Sequence, residues 1–255
     1  MSGGGRAEEL RRHAGLTYED FRRLAGDGSL SPYEKIGFPD DYRAGHEQAI
    51  FADLRAKVPT LDDRGGLLVD IGCGCSELPG LLARHAVGHG AEVVLIDSAE
   101  MLAALPADVP GRRAAGRFPG LGELQAELAG RASAVIVYSV LQYVLAGGDL
   151  HGFVDAAVAL LAPGGHLLLG DIPNDAKRAR FFSSPTGAAY HRAFMGVDED
   201  PKVEPFALRP GTFDDGILVG LLLRYRQAGF ESYLVPQGRS LPMQNRREDL
   251  LIVRN

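Results

Sequence analysis

The chain has 255 residues, of which 45% are hydrophobic, and a formal net charge of −6. This length is sufficient for one large domain with its own core, and the negative charge gives no general attraction to nucleic acid or to an anionic membrane. The apolar runs have strand length and are too short to span a bilayer, and MSGGGRAEELRRH lacks the apolar core of a signal peptide. We therefore expect a cytoplasmic protein without a nucleic-acid or membrane partner.

The first part of the chain, residues 1–60, is predicted to be a helical segment that precedes the main domain at 61–255. A helix over 40–58 begins at an Asp cap and places apolar side chains and His46 on one face. The segment SPYEKIGFPDDYR (31–43) interleaves aromatic and basic side chains around a Gly and a Pro. We expect it to close over a ligand site as a lid, and a turn that only packs on the sheet is the alternative.

Apolar runs of strand length alternate with helix-like stretches from residue 67 onward. In chain order the runs are LLVDIG (67–72), EVVLID (92–97), the weaker GRRAAG (111–116), ASAVIVY (132–138) and HLLLGD (166–171). Continuous rather than alternating apolarity is typical of strands that are covered on both faces, and hence of a parallel sheet between helix layers. The pattern predicts a doubly wound α/β domain.

The end of the chain has a different pattern. A helix over 214–228 precedes FESYLVP (230–236) and EDLLIVR (248–254), and no helix separates these two strands, so we expect them to be antiparallel. The whole is then a mostly parallel, seven-stranded Rossmann-like sheet with a reversed last strand. Residues 172–213 are too long for an ordinary connection and are predicted to be an insertion on the acceptor side.

The loop after the first strand, VDIGCGCSELPG, has two glycines where a nucleotide-binding loop would have them. Gly72 and Gly74 permit a tight turn and a close approach of the backbone to a ligand. Glu77 occupies the place of the third glycine of a dinucleotide loop, and its charge opposes a pyrophosphate at the start of the next helix. The loop therefore favours a cofactor that has no phosphate and carries a positive centre, such as S-adenosylmethionine.

Four stretches together resemble the class I S-adenosylmethionine-dependent methyltransferases. They are LLVDIGCGCSELPGLL, VVLIDSAEML, VIVYSVLQYV and LLAPGGHLLLGDIPN, within about residues 66–174. The resemblance implies S-adenosylmethionine as the cofactor, and the VLQYV pattern is similar to that of the small-molecule methyltransferases. The expected function is methylation of a small polar metabolite, either a secondary metabolite or a sugar-type acceptor, with oxygen as the expected methylated atom. An inactive cofactor-binding scaffold and, less favoured, an NAD(P)-dependent oxidoreductase are the alternatives.

The resemblance also implies a role for individual residues. Asp70, Gly72 and Gly74 would hold the amino-acid tail of the cofactor, and Asp97 would accept hydrogen bonds from the two ribose hydroxyls. Further cofactor contacts are expected beside the adenine, below the methionine part and in the lid, from Ser98, Met101, Arg117, Phe118, Tyr138, Ser139, Tyr33 and Lys35. For Met101, a role as a plain core residue is as well supported as a contact with the adenine.

Candidates for acid–base chemistry are expected at the carboxyl ends of the strands and in the insertion. They are Asp171, Tyr143 and His191, and positioning alone is the rival mechanism. Cys73 and Cys75 are the only cysteines and both lie in the glycine loop, so no metal site is expected. His85 and His89 are interpreted as surface or turn residues. A small-molecule acceptor is the expected partner, and the sequence leaves undecided whether the chain forms a homodimer.

Overall fold

The computed structural model describes residues 15–204 and 209–255. In the described part of the N-terminal segment, helices α1 (Tyr18–Gly26), α2 (Pro32–Lys35), α3 (Asp40–Arg43) and α4 (Glu47–Lys57) lead to a 3₁₀ turn at Pro59–Leu61. Capping boxes start two of them, because Thr17 accepts from the amide of Asp20 and Ser31 from that of Glu34. Residues 1–14 of the predicted N-terminal helical segment and residues 205–208 of the predicted insertion lie outside the described residues.

The predicted helix over 40–58 is wrong in one respect, because it is interrupted between α3 and α4. Gly45 has a left-handed backbone with φ of 80°, which ends one helix before the next begins. Ile50 and Leu54 of α4 are buried, as the apolar spacing predicts. Tyr42 is also buried, but it belongs to the separate turn α3.

The sheet has seven strands in the order β3-β2-β1-β4-β5-β7-β6. In chain order they are β1 (Leu67–Ile71), β2 (Glu92–Asp97), β3 (Arg112–Ala115), β4 (Ala132–Tyr138), β5 (Leu161–Pro173), β6 (Phe230–Val235) and β7 (Arg247–Arg254). The first five strands pair in parallel, and β7 is antiparallel to both β5 and β6. The predicted doubly wound sheet with a reversed last strand is confirmed.

Helices cover both faces of the sheet. The helices that follow β1 are α5 (Glu77–Gly88), α6 (Ala99–Ala104), α7 (Gly122–Leu128), α8 (Leu141–Ala146), α9 (Leu150–Val158), α10 (Asp175–Phe182), α11 (Pro185–Met195) and α12 (Asp215–Gln227). Neighbouring residues of β1 enter opposite cores: Val69 packs in one cluster with α9 and α12, and Leu68 in another with α4 and α5. Every residue of β1 is therefore buried, which explains its continuous apolarity. No helix in the described ranges is long and apolar enough to cross a membrane.

The insertion after β5 contributes the helix pair α10 and α11. Asn174 and Ser184 cap their N-termini. Gly187 is the one buried residue of the two helices, so the pair carries a set of partly exposed rings, among them Tyr190. Tyr190 and Phe194 are stacked with ring centroids 5.7 Å apart, and Phe194 meets Tyr42 of α3 at 5.9 Å. The insertion therefore contacts the N-terminal segment.

Candidate cofactor and active site

A cavity of about 660 Å³ opens where β1, β2 and β4 end. Strand β1 lies between β2 and β4, so the chain order reverses here, and open α/β sheets bind ligands at such a point. The predicted site residues that line this cavity are Asp70, Gly72, Gly74, Asp97, Met101, Arg117, Phe118, Tyr138, Tyr143 and Ser139. The structure thus brings together most of the site that the motifs predicted.

The glycine loop follows β1 directly and requires glycine at two positions. Gly72 and Gly74 have φ of 70° and 71°, in the left-handed region that other residues rarely adopt. A Cβ at Gly72 would lie 2.6 Å from the Cγ2 of Val140, and one at Gly74 would lie 2.8 Å from the Cγ2 of Ile36. The loop is therefore packed tightly against both α2 and the segment after β4.

Asp97, at the end of β2, holds the glycine loop in place. Its Oδ2 accepts a 2.9 Å hydrogen bond from the amide of Gly74, and its Oδ1 accepts one of 2.7 Å from the amide of Ser98. Burial raises the pKa of Asp97 to about 6, against the opposing effect of these two bonds. Ser98 is buried and caps α6 by accepting from the amide of Met101, and it does not line the cavity.

Asp70 is a buried carboxylate on the cavity wall, with 3% of its surface exposed. No residue in 15–204 or 209–255 donates a hydrogen bond to its side chain. Burial, together with the nearby charge of Asp97, raises the pKa of Asp70 to about 8. A buried acidic group without a protein donor is costly to ionise, and a cationic ligand group in the cavity would stabilise its charged form.

Arg43, the last residue of α3, is a cavity residue that the sequence analysis did not single out. Only 4% of it is exposed, and its guanidinium donates to Oε1 of Glu47 at 3.3 Å and to Oγ of Ser139 at 3.1 Å. It also lies 5.3 Å from the ring centre of Tyr138. The basic and aromatic composition of residues 31–43 was the only signal for it. A buried guanidinium thus faces the same cavity as the two carboxylates.

Helix α1 also contributes to the cavity, through Tyr18 and Phe21. The rings of Phe21 and Tyr143 form a T-shaped pair with centroids 4.7 Å apart, and Arg22 forms a 2.6 Å ion pair with Glu100 of α6. These contacts hold α1 against the cavity. Residues that precede 31–43 therefore also line the cavity.

Two predicted lid residues, Tyr33 and Lys35, are not among the residues that line this cavity. Ile36 and Phe38 of the same segment do line it. Tyr33 lies instead at a second cavity of about 330 Å³, next to Glu77. The proposed contacts of Tyr33 and Lys35 with the cofactor stay predictions.

The three acid–base candidates occupy different positions. Tyr143 lines the cavity, whereas Asp171 lies behind the wall and accepts a 2.6 Å hydrogen bond from Ser139. His191 is in α11, with its ring 6.1 Å from that of Phe182, and does not line the cavity. Their catalytic roles stay predictions.

Comparison with known proteins supports the fold. No family model matches the chain, and neither does any curated protein. The plantazolicin methyltransferase BpumL, solved with a triazolic desmethylPZN analogue and SAH, is similar over 97% of this chain and 99% of its own, with 11% identity and a TM-score of 0.58. The CurJ carbon methyltransferase is similar over 96% of this chain and 65% of its own, with 17% identity and a TM-score of 0.54.

A third similar structure is an O-methyltransferase family protein from Burkholderia thailandensis, with 18% identity, a TM-score of 0.51 and coverage of 98% of this chain and 66% of its own. At these identities the likeness concerns the fold. The chain has the fold of these methyltransferase structures, as the resemblance of its four motifs implied.

Proposed function

We propose that the protein transfers a methyl group from S-adenosylmethionine to a small polar acceptor. The observation that carries this proposal is the buried carboxyl of Asp70 on the wall of the cavity. It has no hydrogen-bond donor within the described ranges, and its pKa is raised to about 8. A carboxyl in this position is suited to the ammonium group in the amino-acid tail of the cofactor.

The remaining cavity residues fit the other parts of the same cofactor. Asp97, at the end of β2, is the acceptor for ribose hydroxyls, and Arg43 supplies a positive charge for a carboxylate. S-adenosylmethionine supplies an electrophilic methyl group on a sulfonium. A nicotinamide dinucleotide fits less well, because its pyrophosphate would meet the start of α5, where Glu77 adds a negative charge.

The acceptor is proposed to enter between the N-terminal lid, residues 1–60, and the insertion at 172–213 of the methyltransferase domain, 61–255. The contact of Phe194 with Tyr42 supports this, because it brings the insertion next to the segment that carries Arg43. A small polar metabolite methylated on oxygen is the proposed acceptor. Carbon and oxygen methyltransferases both occur among the similar folds, so the methylated atom needs a direct assay.

Calorimetry with S-adenosylhomocysteine at pH 7 tests the proposal. The ammonium group of the ligand should lower the pKa of Asp70 on binding, so the wild type should release up to about one proton per ligand. This release is seen as a binding enthalpy that differs between phosphate and Tris buffers. Asp70→Asn should abolish this difference, and the exposed-residue control Asp108→Asn should retain it. Tight binding of NAD with no binding of S-adenosylhomocysteine would overturn the proposal.

A further variant tests the ribose contact. Asp97→Ala should weaken S-adenosylhomocysteine binding by about 1–3 kcal/mol through lost hydrogen bonds and a loosened glycine loop. Mass spectrometry of a panel of small hydroxylated metabolites incubated with S-adenosylmethionine would then identify the product. Cofactor binding without transfer to any acceptor would favour the inactive scaffold.

A further inference from the structure

A second cluster of polar side chains lies outside the cavity, at the far end of α5. His85 and His89 are four residues apart, so both rings project from the same face of the helix end. Their ring centroids are 4.3 Å apart, and the carboxylate of Asp62 approaches Nε2 of His85 to 2.7 Å. One ligand atom from each residue lies within 4.8 Å of the other two.

The three side chains are held in position by their neighbours. Nδ1 of His89 lies 2.9 Å from the carbonyl oxygen of His85, a bond that places the proton on Nδ1 and leaves the lone pair of Nε2 for a ligand. The rings of Phe51 and His85 form a T-shaped pair with centroids 5.3 Å apart. The amide of Gly65 donates to the carbonyl of His89 at 2.9 Å, which ties the loop after Asp62 to the helix end.

Arg55 orients the carboxylate of Asp62 by two hydrogen bonds of 2.8 and 2.9 Å from its guanidinium. Carboxylates that bind metals are commonly held in this way by an outer partner. Two imidazoles and one carboxylate are a ligand set typical of zinc, and a water molecule completes the tetrahedron. Shifts of roughly 1 Å would bring the three ligand atoms to zinc bond lengths of about 2.0–2.2 Å.

We propose that Asp62, His85 and His89 bind a zinc-type divalent metal ion. Binding exchanges the hydrogen bond between His85 and Asp62 for coordinate bonds, and the ring proton of His85 moves from Nε2 to Nδ1, so that the imidazole stays neutral. None of the three residues lines the cofactor cavity, so the metal takes no part in methyl transfer. Its effect is to fasten the end of α5 to the 3₁₀ turn at Pro59–Leu61 that follows α4.

Titration of the full chain, without a polyhistidine tag, with Co²⁺ as a spectroscopic substitute for Zn²⁺ tests this site. The wild type should develop the visible bands of tetrahedral Co²⁺ and lose them when Zn²⁺ is added. His89→Ala and Asp62→Asn should bind Co²⁺ at least about tenfold more weakly. His151→Ala, which removes an exposed histidine from α9, is the matched control and should bind like the wild type.

Zn²⁺ should also raise the thermal midpoint of the wild type and of the control but not that of His89→Ala. S-adenosylhomocysteine affinity should be equal in all variants, which shows that they are folded and separates this site from the proposed function. Three results would each overturn the proposal. They are the absence of Co²⁺ bands in the wild type, Co²⁺ binding by His89→Ala as tight as that of the wild type, and intense near-ultraviolet bands from cysteine thiolates. In those cases the cluster is a hydrogen-bonded surface network only.

Discussion

The hydroxyl of Ser139 donates a 2.6 Å hydrogen bond to Oδ2 of Asp171 and joins the carboxyl-terminal parts of β4 and β5 behind the cavity wall. Both residues have left-handed backbone conformations, with φ of 60° and 57°. Arg43 reaches this pair from α3, with Nη1 3.1 Å from the Ser139 hydroxyl and 3.9 Å from Oδ2 of Asp171. The N-terminal segment is thereby attached to the sheet through buried charges.

Asp171→Asn tests the importance of this attachment. Asn tolerates a left-handed backbone as Asp does, so the substitution removes the charge and leaves the backbone unstrained. We expect a loss of about 1–3 kcal/mol in the free energy of unfolding, because Ser139 loses its charged acceptor and buried Arg43 keeps only Glu47 as a carboxylate partner. Urea denaturation measures the loss.

The matched control is Glu127→Gln, which breaks an exposed pair with Arg112 at 2.7 Å. It should cost less than about 1 kcal/mol, because water solvates both charges. Equal losses for Asp171→Asn and Glu127→Gln would show that the buried network does not stabilise the fold.

The sequence predicted the central strands well and the start of β5 poorly. The bounds of β2 and β4 agree with their apolar runs, since strands covered on both faces are continuous in apolarity. Strand β5 begins at Leu161 rather than at His166, because APGG reads locally as a turn. Its first residue nevertheless pairs with Ala132, and the register shifts beyond that pair.

The candidate site was predictable where it depends on strand ends. Asp70 and Asp97 lie in the carboxyl-terminal parts of neighbouring parallel strands, so their side chains meet at one edge of the sheet. Arg43 and Phe21 reach the same cavity from helices that precede the sheet, and their positions depend on long-range docking that no local pattern encodes. The break at Gly45 also escaped prediction, because an isolated glycine is tolerated in a helical pattern.

The pH dependence of stability provides a second prediction. Burial raises the pKa of Asp70 to about 8 in the folded protein, above its value of about 3.9 in the unfolded chain. The folded state therefore binds more protons between these values, and the stability of the cofactor-free protein should fall as pH rises from about 4 to about 8. Asp70→Asn should flatten this part of the profile and be more stable than the wild type at about pH 9. Urea unfolding of the wild type and the variant across the pH range measures the slope and the difference in stability. A variant profile that runs parallel to that of the wild type would contradict the prediction.

The glycine loop provides a third prediction. Gly74→Ala introduces a left-handed alanine whose Cβ lies 2.8 Å from Ile36, whereas Gly90→Ala introduces one at φ of 79° with nothing within 4 Å. Both should lose about 1–2 kcal/mol to backbone strain, and Gly74→Ala should lose at least about 1 kcal/mol more through the clash. Thermal and urea unfolding compare them. Gly74→Ala should also be measured in an Ile36→Ala background, where its loss of stability should be smaller than in the wild type because the clash is relieved. An equal loss in both backgrounds would mean that Ile36 of the lid segment (31–43) does not constrain the glycine loop.

The acid–base candidates can be ranked by their positions. Tyr143 lines the cavity, and burial raises the pKa of its phenol above the ordinary value, so the hydroxyl keeps its proton at neutral pH. In this state Tyr143 is a hydrogen-bond donor rather than a base. His191 lies in α11, away from the residues that line the cavity.

The last prediction compares Tyr143→Phe with His191→Ala once an acceptor is known. The first variant removes only a hydroxyl and keeps the ring that packs against Phe21, so cofactor affinity should be unchanged. If the hydroxyl orients the acceptor, kcat/KM should fall about tenfold, which corresponds to one hydrogen bond of about 1.4 kcal/mol. His191→Ala should turn over close to the wild-type rate, because its ring contacts Phe182 rather than the cavity. A loss of about a hundredfold in His191→Ala with normal cofactor binding would instead identify His191 as the general base and require the insertion to close over the acceptor.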